Sequence, residues 1–185
     1  MSLLSLLAAC ATGPGPLGGG ATNDTATGSS CDGEPTVVIG TGENFYRPLE
    51  EGDSIPLIYG PQGGWHIWEA VEVQNMGALG SVHFVAEAIE VGGVVSETRN
   101  RVGLIPDEDN ECMSHFFGIY GYLDVDDLED GACNTPPEIL ASTEICIFVD
   151  ITDEHGDIAE DELCVEAMQW AQDPTGIDAG CGVAD

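Results

Sequence analysis

The sequence predicts an all-β chain, folded as an antiparallel β-sandwich stapled by disulfides. Three observations carry that expectation. About eight short runs rich in β-branched and aromatic residues recur at roughly ten-residue spacing between turn-forming residues. No long stretch places apolar residues at helical spacing. Seven cysteines in 185 residues is a high count, and with Cys10 set aside the other six form the even set of a disulfide framework. Such a framework belongs to an oxidising compartment. Zinc is the competing use of cysteine, but Cys31, Cys112, Cys133, Cys146, Cys164 and Cys181 contain no C-x2-C pair.

The chain divides into four parts. Residues 1–9, MSLLSLLAA, form a short apolar run ending in small residues before Cys10. Leu7-Ala8-Ala9-Cys10 is similar to the lipobox of bacterial lipoprotein precursors. The resemblance implies that residues 1–9 are a signal segment and that Cys10 is lipidated and becomes the mature N-terminus. The chain departs from that family's pattern in lacking Lys or Arg before a run that is short for a signal segment. Residues 10–35 are rich in Gly, Ser, Thr and Pro, which cannot bury enough apolar surface to fold, so they read as a lipidated flexible linker. Residues 36–170 hold the sandwich, and residues 171–185 an irregular C-terminal tail with Cys181. Nothing after the N-terminus is apolar for long enough to span a membrane.

Within the sandwich, residues 36–40, TVVIG, are a first strand. Residues 55–59, IPLIY, are the next, and Pro56 marks them as an edge because proline cannot donate to a ladder. The Gly-rich turn at 60–64 lacks the lysine and spacing of a phosphate loop. Residues 65–74 form a strand in which Trp65 or Trp68 is the candidate core tryptophan. Strands follow at 82–91, 94–102 and 114–125.

Residues 144–168 give the sharpest expectation. Ile145, Ile147, Val149 and Ile151 alternate with Cys146, Phe148, Asp150 and Thr152, the period of a strand. A three-residue loop, Glu154-His155-Gly156, with Gly156 in the left-handed conformation would close a hairpin. Partners then sum to 310, and Cys146 faces Cys164 closely enough for a bridge. The same register sets Asp161 opposite Val149 on an apolar face, so either a bulge intervenes or that end of the face is wet. The remaining cysteines are expected to pair as Cys112–Cys133 and Cys31–Cys181, without a geometric argument. The final acidic hairpin resembles the last two strands of bacterial immunoglobulin-like and PKD-like domains, which implies an immunoglobulin-like β-sandwich.

Charge bounds function. There are 34 acidic residues against three cations, Arg47, Arg99 and Arg101, for a net charge of −31. Nucleic acid is excluded as a partner because phosphate binding needs a basic surface, and anionic lipid headgroups are disfavoured. Asp124, Asp126 and Asp130 are candidate calcium ligands, although no EF-hand spacing is present, since reading from Asp126 the third position is Leu128. His66, His83 and His115, with Met76 or Met113, are a candidate copper set, and His155 reads as a turn residue. There is no G-x-S-x-G or H-E-x-x-H, and no residue is singled out as catalytic. The reading is an exported, lipid-anchored binding or structural module of the bacterial outer membrane, cell surface or periplasm. It is not an enzyme, calcium is its candidate cofactor, and its contacts are the membrane through the anchor and a protein partner, not a nucleotide. A copper- or other metal-binding protein is the alternative, and an unrecognised hydrolase the third.

Overall fold

The computed structural model describes residues 31–60, 64–124 and 139–169. Among these residues ten strands form: β1 (Thr36–Thr41), β2 (Arg47–Pro48), β3 (Ser54–Tyr59), β4 (Trp65–Gln74), β5 (Leu79–Ala88), β6 (Gly93–Gly103), β7 (Ile105–Pro106), β8 (Met113–Tyr122), β9 (Glu144–Asp153) and β10 (Ile158–Gln169). They make the predicted all-β, antiparallel, disulfide-stapled sandwich. In the first layer β4 is central, with β1 on one edge, β8 on the other, and β2 and β7 as two-residue extensions. The second layer runs β3-β10-β9-β5-β6. β3 joins the two. It lies parallel to β10 from Ser54 to Leu57, then Ile58 and Tyr59 pair with β4. Pro56 therefore sits at the border of the second layer, as its missing N–H requires.

The core follows from the period of two. Ile39, Ile67, Val71 and Val73 from the first layer meet Ile55, Leu57, Val82, Phe84, Ile147 and Ile151 from the second, all nearly inaccessible to solvent. Trp65 is the core tryptophan, and Trp68 lies on the opposite face of β4. A bulge on β8 carries an extra residue, since Glu69 pairs with Ile119 but Val71 with Phe116. Gly118 makes this bulge with φ +78°, and a Cβ there would meet the Glu43 carbonyl oxygen at 2.8 Å. The extra residue restores the inward direction, so Phe116 and Ile119 both join the interior.

The last hairpin has the predicted register throughout, Cys146 opposite Cys164 and Asp161 opposite Val149. Gly156 has φ +90°, and its N–H donates to the Asp153 carbonyl oxygen. Asp161 produces no bulge and is partly buried. Its Oδ2 accepts the N–H of Ile39 at 2.9 Å, so a carboxylate on the second layer satisfies a backbone donor of β1 in the first.

Candidate functional site

The sandwich has a slot on one side. β6 ends the second layer with only β5 beside it, and β8 ends the first except where β7 covers Ser114 and His115. At one end the slot is closed by Asp124, whose N–H donates to the Val95 carbonyl oxygen at 2.8 Å. At the other end the chain crosses between layers through Leu104, whose N–H donates to the Ala78 carbonyl oxygen at 2.8 Å. Between these ends lies a cavity of about 400 Å³, walled by Thr98, Asn100 and Val102 on β6 and by Phe116, Ile119 and Tyr120 on β8.

Behind Thr98 is a buried carboxyl. Glu69 is 1% exposed; its Oε2 accepts from the Thr98 hydroxyl at 2.8 Å, and its Oε1 has no hydrogen-bond partner. Burial pushes its pKa up to about 7, with the Thr98 bond pulling the other way. A Cβ on Gly121 would collide with that free Oε1. Glycine at 121 is what leaves room for the carboxyl between the layers.

The rim of the slot is cationic. Arg99 and Arg101 are exposed on β6, and they are two of the chain's three cations. Their side chains share the outer face with His83 and Ser81, their partners on β5. The backbone beside them is open. Leu104 turns its N–H to β5, and a strand alternates, so Val102, Asn100 and Thr98 also face β5. Glu97, Arg99, Arg101 and Gly103 turn their N–H and carbonyl groups away, where no strand pairs with them among the described residues.

On the outer face of the first layer, His66 is 1% exposed beneath Trp68 and Tyr120, each with its ring centroid 4.8 Å away. Neither ring nitrogen has a hydrogen-bond partner. Burial lowers its pKa, opposed by Glu43. Tyr120 and Tyr122 stack at 5.6 Å and remain exposed.

The expected copper set is not assembled. His83 lies in the second layer, held between Asp150 at 2.7 Å and Glu97 at 3.1 Å. His66 and His115 are in the first layer, but His115 sits opposite Glu72, six residues along β4 from His66, about 20 Å at strand rise. His115 contacts Glu72 at 3.2 Å and Tyr46 at 5.1 Å between rings. Of the candidate calcium ligands, Asp124 closes the slot through its backbone, and Asp126 and Asp130 lie outside the described residues. Glu144, Cys146 and Cys164 cluster closely, but both sulfurs are spent in a disulfide.

Cys146–Cys164 forms as expected, with Cα atoms 3.9 Å apart. The pairings Cys31–Cys181 and Cys112–Cys133 are corrected: Cys31 bonds Cys112, with Cα atoms 5.5 Å apart. Cys133 and Cys181 lie outside the described residues. Topology explains the bond. β1 begins opposite Gln74 on one edge of β4, and β8 begins opposite the same residue on the other edge. Asn75 joins them, its Nδ2 donating to the Glu34 carbonyl oxygen and its N–H to that of Cys112. The residues leading into β1 and β8 therefore meet at one end of β4.

The acidic hairpin turn is a backbone clamp. Asp153 accepts the N–H groups of Gly77, His155 and Asp157 at 2.7 to 3.0 Å. Glu154 accepts those of Ala78 and Leu79 at 3.0 and 2.8 Å. These two carboxylates hold the β4–β5 turn against the β9–β10 turn, and His155 is the turn residue expected.

Sequence reasoning missed Glu69, Arg99 and Arg101. The arginines had a signal: in a chain of net charge −31, two of three cations stand two residues apart in one strand. Among the described residues no helix is long and apolar enough to cross a membrane. No family model and no curated protein matches the sequence. Among solved structures the chain is similar to the CooA pilin subunit from enterotoxigenic Escherichia coli, at 13% identity and a TM-score of 0.33, over 72% of this chain and 99% of that chain. A likeness at that level assigns no activity.

Proposed function

We propose that the chain is an exported, lipid-anchored binding or structural module. One observation carries the reading. The Cys31–Cys112 disulfide fastens the C-terminal end of the Gly- and Ser-rich linker to the sandwich at the start of β8. With Cys146–Cys164 it supports an oxidising compartment, where cytosolic reductants do not reach. A lipid on Cys10 would then hold the sandwich at a membrane surface through residues 11–30. One acyl chain binds membranes only marginally, so stable anchoring would take a second chain or another membrane contact.

The test is metabolic labelling of the full chain in a bacterial host with radiolabelled palmitate, beside Cys10→Ser. Label on the native chain and none on the variant is the expected result. Equal label on both, or none on either, sinks the anchor and leaves only the oxidised module.

A further inference from the structure

We infer that the open edge of β6 is a docking site for an extended acidic peptide, which adds to the second layer as a further strand. The inference deepens the binding-module reading by naming the partner chemistry.

Three observations converge on this edge. The first is backbone. β6 is 11 residues long, and Glu97, Arg99, Arg101 and Gly103 present unpaired N–H and carbonyl groups in a row. An edge of that length is a template for a further strand unless something blunts it. No proline interrupts β6.

The second is charge. Arg99 and Arg101 lie two residues apart on one face of the edge, so a strand beside them meets both with side chains at alternate positions. Arg99 leans on Glu97 at 3.4 Å, an exposed contact that holds it weakly, and Arg101 makes no ion pair among the described residues. A charge that merely guards an edge against self-pairing could be acidic, and the chain has 34 such residues to draw on. Placing two of its three cations here selects for carboxylates. At physiological salt charges beyond about 8 Å are screened, so a docking strand responds to these arginines more than to the distant acidic surface.

The third is the slot. Alternate side chains of an added strand turn inward, toward the cavity of about 400 Å³ walled by Val102, Phe116 and Ile119. The fitting ligand therefore alternates, acidic outward and apolar inward. A second copy of this chain fits the edge less well, because it brings another net charge of −31.

The test is a titration of the full chain, in detergent micelles at about 0.15 M salt, with peptides of about six residues, the usual strand length. One alternates Asp with Val, one alternates Lys with Val, and one carries the first composition with acidic and apolar residues in separate blocks. Only the alternating acidic peptide is expected to bind. The double variant Arg99→Glu, Arg101→Glu should weaken it by about tenfold or more. Glu97→Pro removes an outward N–H while keeping both arginines and the β5 bonds, and should also abolish binding. Melting temperatures check that each variant is folded, and if Glu97→Pro is not, the arginine pair decides. Equal binding of the blocked or lysine peptide overturns the proposal, as does a double variant that binds like the native chain. Dilution-sensitive dimers that Glu97→Pro abolishes would assign the edge to a second copy instead, and also overturn it. None of these outcomes depends on Cys10, so palmitate labelling can fail or succeed independently.

Discussion

Glu69 is the residue whose ionisation the fold resists most clearly. Its side chain lies between the layers with one oxygen bonded to Thr98 and the other unpartnered. Its pKa is raised from 4.5 to about 7. The folded chain thus keeps a proton that the unfolded chain releases in that interval. Stability from this group is full below about 4.5 and falls as pH rises through about 7. The loss is on the order of 3 kcal/mol. Glu69→Gln cannot ionise, so its stability should stay flatter between pH 4.5 and 8 and exceed that of the native chain at the upper end. Urea unfolding of both proteins across that range measures this, and parallel slopes would rule the account out.

At the scale of the element, Asp153 is the sharper test of the final hairpin. Burial raises its pKa, but hydrogen bonds from Gly77, Asp157 and His155 outweigh it, and the net shift is downward. Its contribution is present at neutral pH and lost as pH falls through the depressed value, below about 4. Asp153→Asn should cost about 2 kcal/mol at pH 7 through lost charge-assisted bonds. The gap between variant and native chain should narrow at pH 3, and a gap of the same size there would count against the clamp.

The hairpin was also the most legible element. Its register followed from alternation and one glycine, because local pairing is set by turn length. The partner of Asp161 was not legible, since Ile39 lies 122 residues away and offers only a backbone N–H. Cys31–Cys112 was hidden for the same reason, because it depends on β1 and β8 flanking one end of β4. The start of β5 came earlier than the apolar run suggested. The strand expected from residue 82 begins at Leu79, because Glu154 binds the Leu79 N–H and Gly80 pairs with both Asp153 and Val102. The slot was illegible as a site because its parts come from β4, β6 and β8, and no single stretch contains them.

For the whole molecule, the net charge sets the conditions under which the fold and its open edge coexist. The chain carries 34 acidic residues, and those on the sandwich repel one another and are held closer in the compact state than in the unfolded chain. The same repulsion keeps copies apart, which lets an unblunted edge such as β6 remain exposed without pairing to its neighbours. The local clamps, Asp153 and Glu154 on backbone N–H groups, recover only part of that electrostatic cost. Screening should recover more. Raising sodium chloride from about 0.02 M to about 0.5 M shortens the screening length below the spacing of most surface charges. The melting temperature should rise by about 5 °C or more, on the order of 2 kcal/mol for a chain of this size. Calorimetry at pH 7, with a neutral osmolyte at matched osmolality as the control, measures the rise. A melting temperature independent of salt would mean that the carboxylates are already far enough apart in the sandwich to ignore one another. The clustering of two of the three cations on β6 would then have to be explained without any field from the rest of the surface.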